Sequence, residues 1–145
     1  SMDHILSCSY FWWKTFSCLV ISAILITGGL RDAQRLTSAE IYNPGTKTSC
    51  SLPQLPAVRY DHSQEGGLTC GGGGIAERTT CVKWSPASGT WVQSHTLRQR
   101  RYGHVSWATD SGVYLIGGVD SLKTSEKVKV DGSVVESFSL KYYTR

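Results

Sequence analysis

Three times along this chain an apolar run stops on a pair of glycines: AILITGG ending at Gly29, GLTCGG at Gly72 and GVYLIGG at Gly118. The intervals are 43 and 46 residues, and two further markers keep step with them. RYDHS at 59–63 and RYGHV at 101–105 begin 42 residues apart, each shortly before an apolar strand. IYNPGTKT at 41–48 answers KWSPASGTW at 83–91, with Tyr42 and Trp84 again 42 apart. KVDGSVV at 129–135 reads as a decayed third copy of that turn. Independent markers that share one interval are the sequence signature of a stacked array of similar units.

Each unit lays out as four short strands. The Arg-Tyr-x-His stretch opens the first, the second ends at Gly-Gly, the third ends near the aromatic residue before a Pro or Gly turn, and the fourth follows. Apolar residues fall on both faces of such a sheet, as in the run Val113 to Ile116, so it needs neighbours on either side. The paired glycines let the backbone take a positive φ or approach another strand closely as it leaves the sheet. With 15 Gly and only 4 Pro in 145 residues, the composition also favours many short strands joined by turns. The formal net charge is +4, and the basic residues are scattered apart from Arg98, Arg100 and Arg101, a triplet read as a solvated turn. No nucleic-acid partner is expected from that pattern.

The double glycine after an apolar strand, the turn WSPASGTW and the Arg-x-x-His stretch together resemble kelch repeats, the blades of a β-propeller, over residues 23–140. Two departures are visible: Ser49 stands where a Trp is expected after YNPGTKT, and Val130-Asp131-Gly132 replaces aromatic-x-Pro in the third unit. The resemblance implies an all-β fold, an incomplete kelch-type propeller of about three four-stranded antiparallel blades. The first unit starts at its second strand and lacks one strand. Closed propellers take roughly 4–8 blades, so the chain reads as a segment of a longer propeller whose open blade faces invite self-association.

Residues 23–145 form the propeller segment in this reading, and residues 1–22 a separate hydrophobic stretch outside the repeats. Ser1 before Met2 suggests a tag scar. FSCLVISAILI, 16–26, is too short for a membrane span, which takes about 20 apolar residues. Its length suits a secretory signal, although Asp3 and His4 precede it instead of Lys or Arg. Trp12, Trp13 and Phe16 have the bulk to cap an open blade face.

Catalytic constellations are weak. Asp61, His62 and Ser63 are the residue types of a nucleophilic triad, but successive side chains of a strand point to opposite faces, so His62 turns away from the other two. CGGGG at 70–74 lacks the Gly-Lys-Ser/Thr of a phosphate cradle. His62 and His104 are repeat equivalents, and two imidazoles without carboxylate or thiolate partners make a poor metal site. Their expected role is structural, a ring nitrogen bonding backbone. No metal and no cofactor is expected, and the chain reads as non-enzymatic.

The resemblance implies instead a protein-protein interaction platform, a fragment of a larger kelch propeller with partners docking on loops at one end. Arg59 and Arg101 match the Arg of Arg-x-x-His, which in the family often lies near that surface, and two guanidinium forks can bracket an acidic peptide motif. The competing reading has each Arg tie down its own turn through backbone carbonyls. Trp84, Trp91 and Trp107 raise a lectin-like alternative, stacking on sugars, but Trp84 and Trp91 flank the Pro turn and Val105 shares the face of Trp107, which points to packing. A galactose-oxidase-like copper oxidase is the other alternative; its Tyr, His and Cys-crosslinked Tyr centre is not assembled here. Gly28, Gly29, Gly71, Gly72, Gly117, Gly118, Tyr42, Trp84, Trp91, His62 and His104 are the structural repeat positions.

Five cysteines, at 8, 18, 50, 70 and 81, show no C-x-x-C spacing and no nearby His pair, which argues against structural zinc. Cys70 ends the second strand of the middle unit, where Thr27 and Ile116 stand in the others. Cys81 lies in the third strand, where Ala39 and Lys127 stand. Neighbouring antiparallel strands bring such residues close enough for a disulfide, which implies an oxidising compartment and a secreted or extracellular protein. Two free thiols filling space in a cytoplasmic protein are the alternative.

Overall fold

The computed structural model describes residues 6–7, 23–65, 67–75, 77–129 and 135–141. The first sheet contains β1 (Leu6–Ser7), β2 (Ile24–Thr27) and, past a hairpin of β3 (Leu30–Arg31) and β4 (Gln34–Arg35), β5 (Ala39–Asn43) and β6 (Thr48–Leu52). Its order is β1-β6-β5-β2. The second sheet runs β7 (Ser63–Glu65), β8 (Leu68–Cys70), β9 (Thr80–Ser85) and β10 (Thr90–Thr96). The third runs β11 (Val105–Thr109), β12 (Gly112–Ile116), β13 (Thr124–Val128) and β14 (Val135–Ser139). Within each blade, neighbours in the chain pair antiparallel, as consecutive short strands joined by tight turns do. The fold is all-β and consistent with an incomplete propeller: among the described residues the blades do not close into a ring.

Among the described residues the first blade lacks the strand that β7 and β11 supply in the others, so β2 is left at a sheet edge. Its fourth strand comes from an unexpected quarter. β1 pairs parallel to β6 on the opposite edge, Leu6 against Cys50 and Ser7 against Ser51, so part of the stretch set apart as 1–22 joins the first sheet. Trp12, Trp13 and Phe16, the proposed caps, lie outside the described residues, as do Cys8, Cys18 and Val130-Asp131-Gly132.

Blades pack because each face carries a matching set of side chains. On the seam between the second and third blades, Leu68, Cys70, Cys81 and Leu97 meet Val113, Leu115 and Val128, all buried. Leaving the sheet next to a neighbour is where glycine is needed. At Gly71 φ is +65°, and a Cβ there would lie 2.5 Å from the Arg101 carbonyl oxygen. Gly28, at φ +57°, meets the Arg59 carbonyl in the same way. A side chain at either position is therefore excluded twice, by backbone conformation and by the next blade's loop.

Cys70 and Cys81 are directly opposed across β8 and β9 and form a disulfide, with Cα atoms 4.1 Å apart. Cys50 on β6 is disulfide-bonded as well. One alignment needs correction: Ser125, not Lys127, is the third-blade equivalent of Cys81. The first glycine of each pair donates to Ser38 O, Thr80 O and Thr124 O, which fixes the register. The sequence misplaces it because the connection from the third double glycine is cut to a single 3-10 turn, Val119–Ser121.

Replacing Cys70 and Cys81 together by Ser removes a cross-link that closes a loop over a sequence separation of 11. Urea unfolding of that variant should show a loss of about 2–3 kcal/mol relative to the parent; an unchanged midpoint would show that the bond adds nothing to the sheet pairing.

Candidate functional site

The residues singled out from the sequence converge on the seams between blades. Arg59 and Arg101 are 2% and 0% exposed. Arg101 Nη1 donates to Gly117 O at 2.7 Å and Thr124 O at 2.9 Å, and Nη2 to Thr124 Oγ1 at 2.8 Å. Arg59 repeats this one blade earlier, with Nη1 on Gly71 O at 2.7 Å and Thr80 O at 3.0 Å, and Nη2 on Thr80 Oγ1 at 2.8 Å. Each backbone reaches the other way. Gly29 N donates to Arg59 O and Gly72 N to Arg101 O, so one residue holds its own blade with its side chain and the preceding blade with its carbonyl.

This corrects the partner-facing expectation for Arg59 and Arg101. Their forks are spent on backbone carbonyls inside the protein, which a carboxylate on the surface cannot reach. Sequence marked the right residues but not their direction, because a guanidinium donates to backbone carbonyls as well as to carboxylates.

The two arginines differ in one contact. Arg101 Nε lies 3.0 Å from Glu126 Oε1, an ion pair with both side chains fully buried. The Glu126 carboxylate also accepts from Arg98 N at 2.7 Å and Gln99 N at 2.9 Å. Val82 occupies the corresponding place in the second blade, opposite Thr69 as Glu126 is opposite Leu115. Arg59 Nε accordingly is buried with no hydrogen-bond partner. The sequence signals Glu126 only as an acid at a position where the middle unit has valine.

The tyrosines after these arginines are covered by cations from the preceding blade: the Arg35 guanidinium is 5.1 Å from the Tyr60 ring centre and Arg78 is 4.5 Å from that of Tyr102. Arg78 also pairs with Asp120 at 2.9 Å. His62 Nε2 meets Thr27 Oγ1 at 3.1 Å, and His104 Nε2 meets Ser63 Oγ at 2.7 Å, so each ring reaches a hydroxyl of the blade before it. The expected backbone role gives way to this cross-blade link. Ser63 beside His104 has the look of a nucleophile and its base, but Ser63 is buried and Nδ1 of both histidines has no partner, so no carboxylate orients either ring. Burial pushes His104 down to about 4, with the Arg101 and His62 charges adding to the effect. His62 is lowered by burial and by Arg59.

Trp84 and Trp91 pack edge to face, ring centres 5.5 Å apart, across β9 and β10. Trp107 departs from the packing expectation: it is 68% exposed, beside exposed Val105, on the third-blade face that no described residue covers. Among the described residues there is no group of three His, Cys, Asp or Glu placed to hold a metal ion, and no helix is long and apolar enough to cross a membrane.

Part of the repeat matches a known family. The family model described as the Kelch motif matches residues 22–56. The first blade thus carries a kelch motif. No curated protein matches the chain. The matched stretch is the first kelch blade, and the second and third blades reproduce its double glycine and strand order.

Two measurements check this site. Arg101→Ala leaves the Glu126 charge buried and unpaired and should cost about 3–5 kcal/mol in urea unfolding, more than Arg59→Ala, which strands only neutral carbonyls. His104, neutral when folded, has a folded pKa below its unfolded value of about 6.5. Its contribution is complete above that pH and is lost as pH falls toward 4. Stability should drop by roughly 2 kcal/mol between pH 7 and pH 5, and His104→Gln should flatten that slope.

Proposed function

We propose that this chain is a segment of a larger kelch propeller that serves as a non-enzymatic protein-interaction platform. The observation that carries the reading is a half-finished seam at each end of the array. Gly29 and Gly72 donate to the carbonyls of Arg59 and Arg101, while Gly118, buried and equivalent to them, has no carbonyl partner among the described residues. At the other end, Gly28 O, Ser38 O and Glu40 occupy the positions that receive Arg101 in the third blade, and none of them meets an arginine among the described residues. A further blade at either end would complete these groups, which supports the reading of a segment.

Both terminal faces are apolar. Ile24 and Ile26 are half exposed on the first blade, and Val105, Trp107 and Phe138 stand out on the third. Contiguous apolar residues at a surface mark interaction sites. Kelch repeats generally mediate protein-protein contacts, which supports a protein partner. The Cys70–Cys81 bond and the bonded Cys50 support a secreted or extracellular setting, where disulfides persist. Residues 1–22 are read as a segment outside the repeats that contributes β1 to the first blade.

Light scattering on the eluate of a sizing column, with an exposed-hydrophobe dye, tests the reading. Self-association or strong dye binding by the isolated chain is expected, reduced when Trp107 and Val105 are changed to Ser. A stable monomer that leaves the dye dark would overturn it.

A further inference from the structure

The positions that build the buried seam between the second and third blades recur on the two free sheet faces. In that seam Leu68, Cys70 and Leu97 on one side meet Val113, Leu115 and Val128 on the other. The hydrogen bonds of the paired glycines set the register between blades, and that register places Tyr114, Ile116 and Leu140 at the first three positions on the third blade. On the first blade it places Ile24, Ile26 and Tyr42 at the last three. All six are apolar or aromatic. Each free face is thus one half of a seam.

The histidine sites narrow what the third blade can receive. His62 Nε2 meets Thr27 Oγ1 on the first blade and His104 Nε2 meets Ser63 Oγ on the second. On the third blade Ile116 stands at the place of Thr27 and Val105 at that of Ser63, opposite one another across β11 and β12. A following blade with its own Arg-Tyr-x-His stretch would press an imidazole nitrogen onto hydrocarbon and bury it unpaired, which costs free energy. The first blade brings no such ring: one repeat of 42 before Arg59 and His62 stand Ser17 and Val20. Charge matches as well. Glu126 is held by the amides of Arg98 and Gln99, which directly follow Leu97. Lys141 directly follows Leu140, the equivalent of Leu97, so its amide and its charge would meet Glu40, the first-blade equivalent of Glu126.

We infer that both free faces are filled by a second copy of this chain, the third blade of each packed on the first blade of the other about a two-fold axis. Two copies of three sheets make six blades, inside the roughly 4–8 that close a ring. Both contacts are then the same head-to-tail seam, and closure leaves no face for a third copy. This rests on the reading of the chain as a propeller segment and names what supplies the remainder.

Sedimentation velocity over a range of concentrations reads the assembly, with the exposed-hydrophobe dye alongside. A single species of twice the chain mass that leaves the dye dark is expected. Ile26→Asp on one face and Val105→Asp on the other are both at exposed positions, and each alone should weaken pairing roughly tenfold or more. An equimolar mixture of the two should pair again, through the one seam in which both faces are unaltered. Should circular dichroism show either variant misfolded, Ile24→Ser and Trp107→Ser, also at exposed positions, take their place. Species larger than two copies, a variant that pairs like the parent, or a mixture that stays apart would overturn the ring. A dye-positive monomer loses the ring alone; a dye-dark monomer loses the propeller-segment reading with it.

Discussion

Each seam of this protein turns on a buried arginine that faces two ways. Its guanidinium closes the carbonyls left open where the double glycine leaves the sheet, and its own carbonyl accepts from the glycine amide of the blade before. Backbone groups at a strand exit cannot complete a ladder, and leaving them unpaired inside the protein would be costly. Arginine suits the task because its donors form a fixed planar fork with one permanent charge. The glycines follow from it, since only a residue without Cβ lets the next blade's carbonyl come so near. The histidine three residues after the arginine adds a second tie, reaching a hydroxyl on the preceding blade.

The same constraint decides how the blades differ. Wherever the arginine stands, its Nε demands an acceptor, and three blades answer in three ways. The third has Glu126, buried with its charge matched and two backbone amides also donating to its carboxylate. The second has Val82 and, lined by it and Arg59, a cavity of about 270 Å³. The first has Glu40 waiting with no arginine among the described residues. A repeat array conserves its frame through backbone contacts and can vary the residue at such a point without disturbing strand order, so a single position becomes a salt bridge, a pocket or an open end. The middle blade, poorer by one ion pair, carries instead the disulfide between the second and third strands of its sheet.

Those open ends also explain why the molecule has two kinds of surface. Between blades, apolar faces are sealed by their neighbours and by cation-π contacts from Arg35 and Arg78. On the terminal sheets, apolar residues such as Ile26 and Trp107 are exposed among the described residues. Trp107 occupies a strand position that reads as core, and its exposure reflects position in the array and not its chemistry.

The periodicity of Gly-Gly and Arg-Tyr-x-His determined by itself the all-β strand content and the three sheets, because those markers record backbone demands local to each strand exit. The pairing of Cys70 with Cys81 was legible for the same reason, as adjacent strands leave few partners. Only the tertiary structure decided where Arg59 and Arg101 point, that Glu126 completes one and nothing completes the other, that Ser63 touches His104, and that β1 joins the far edge of the first sheet. Each of these depends on a neighbour well outside the local strand, from 12 residues away for Arg59 and Gly71 to 41 for Ser63 and His104, and whether a side chain turns to solvent or to a carbonyl is settled by what that neighbour leaves unpaired.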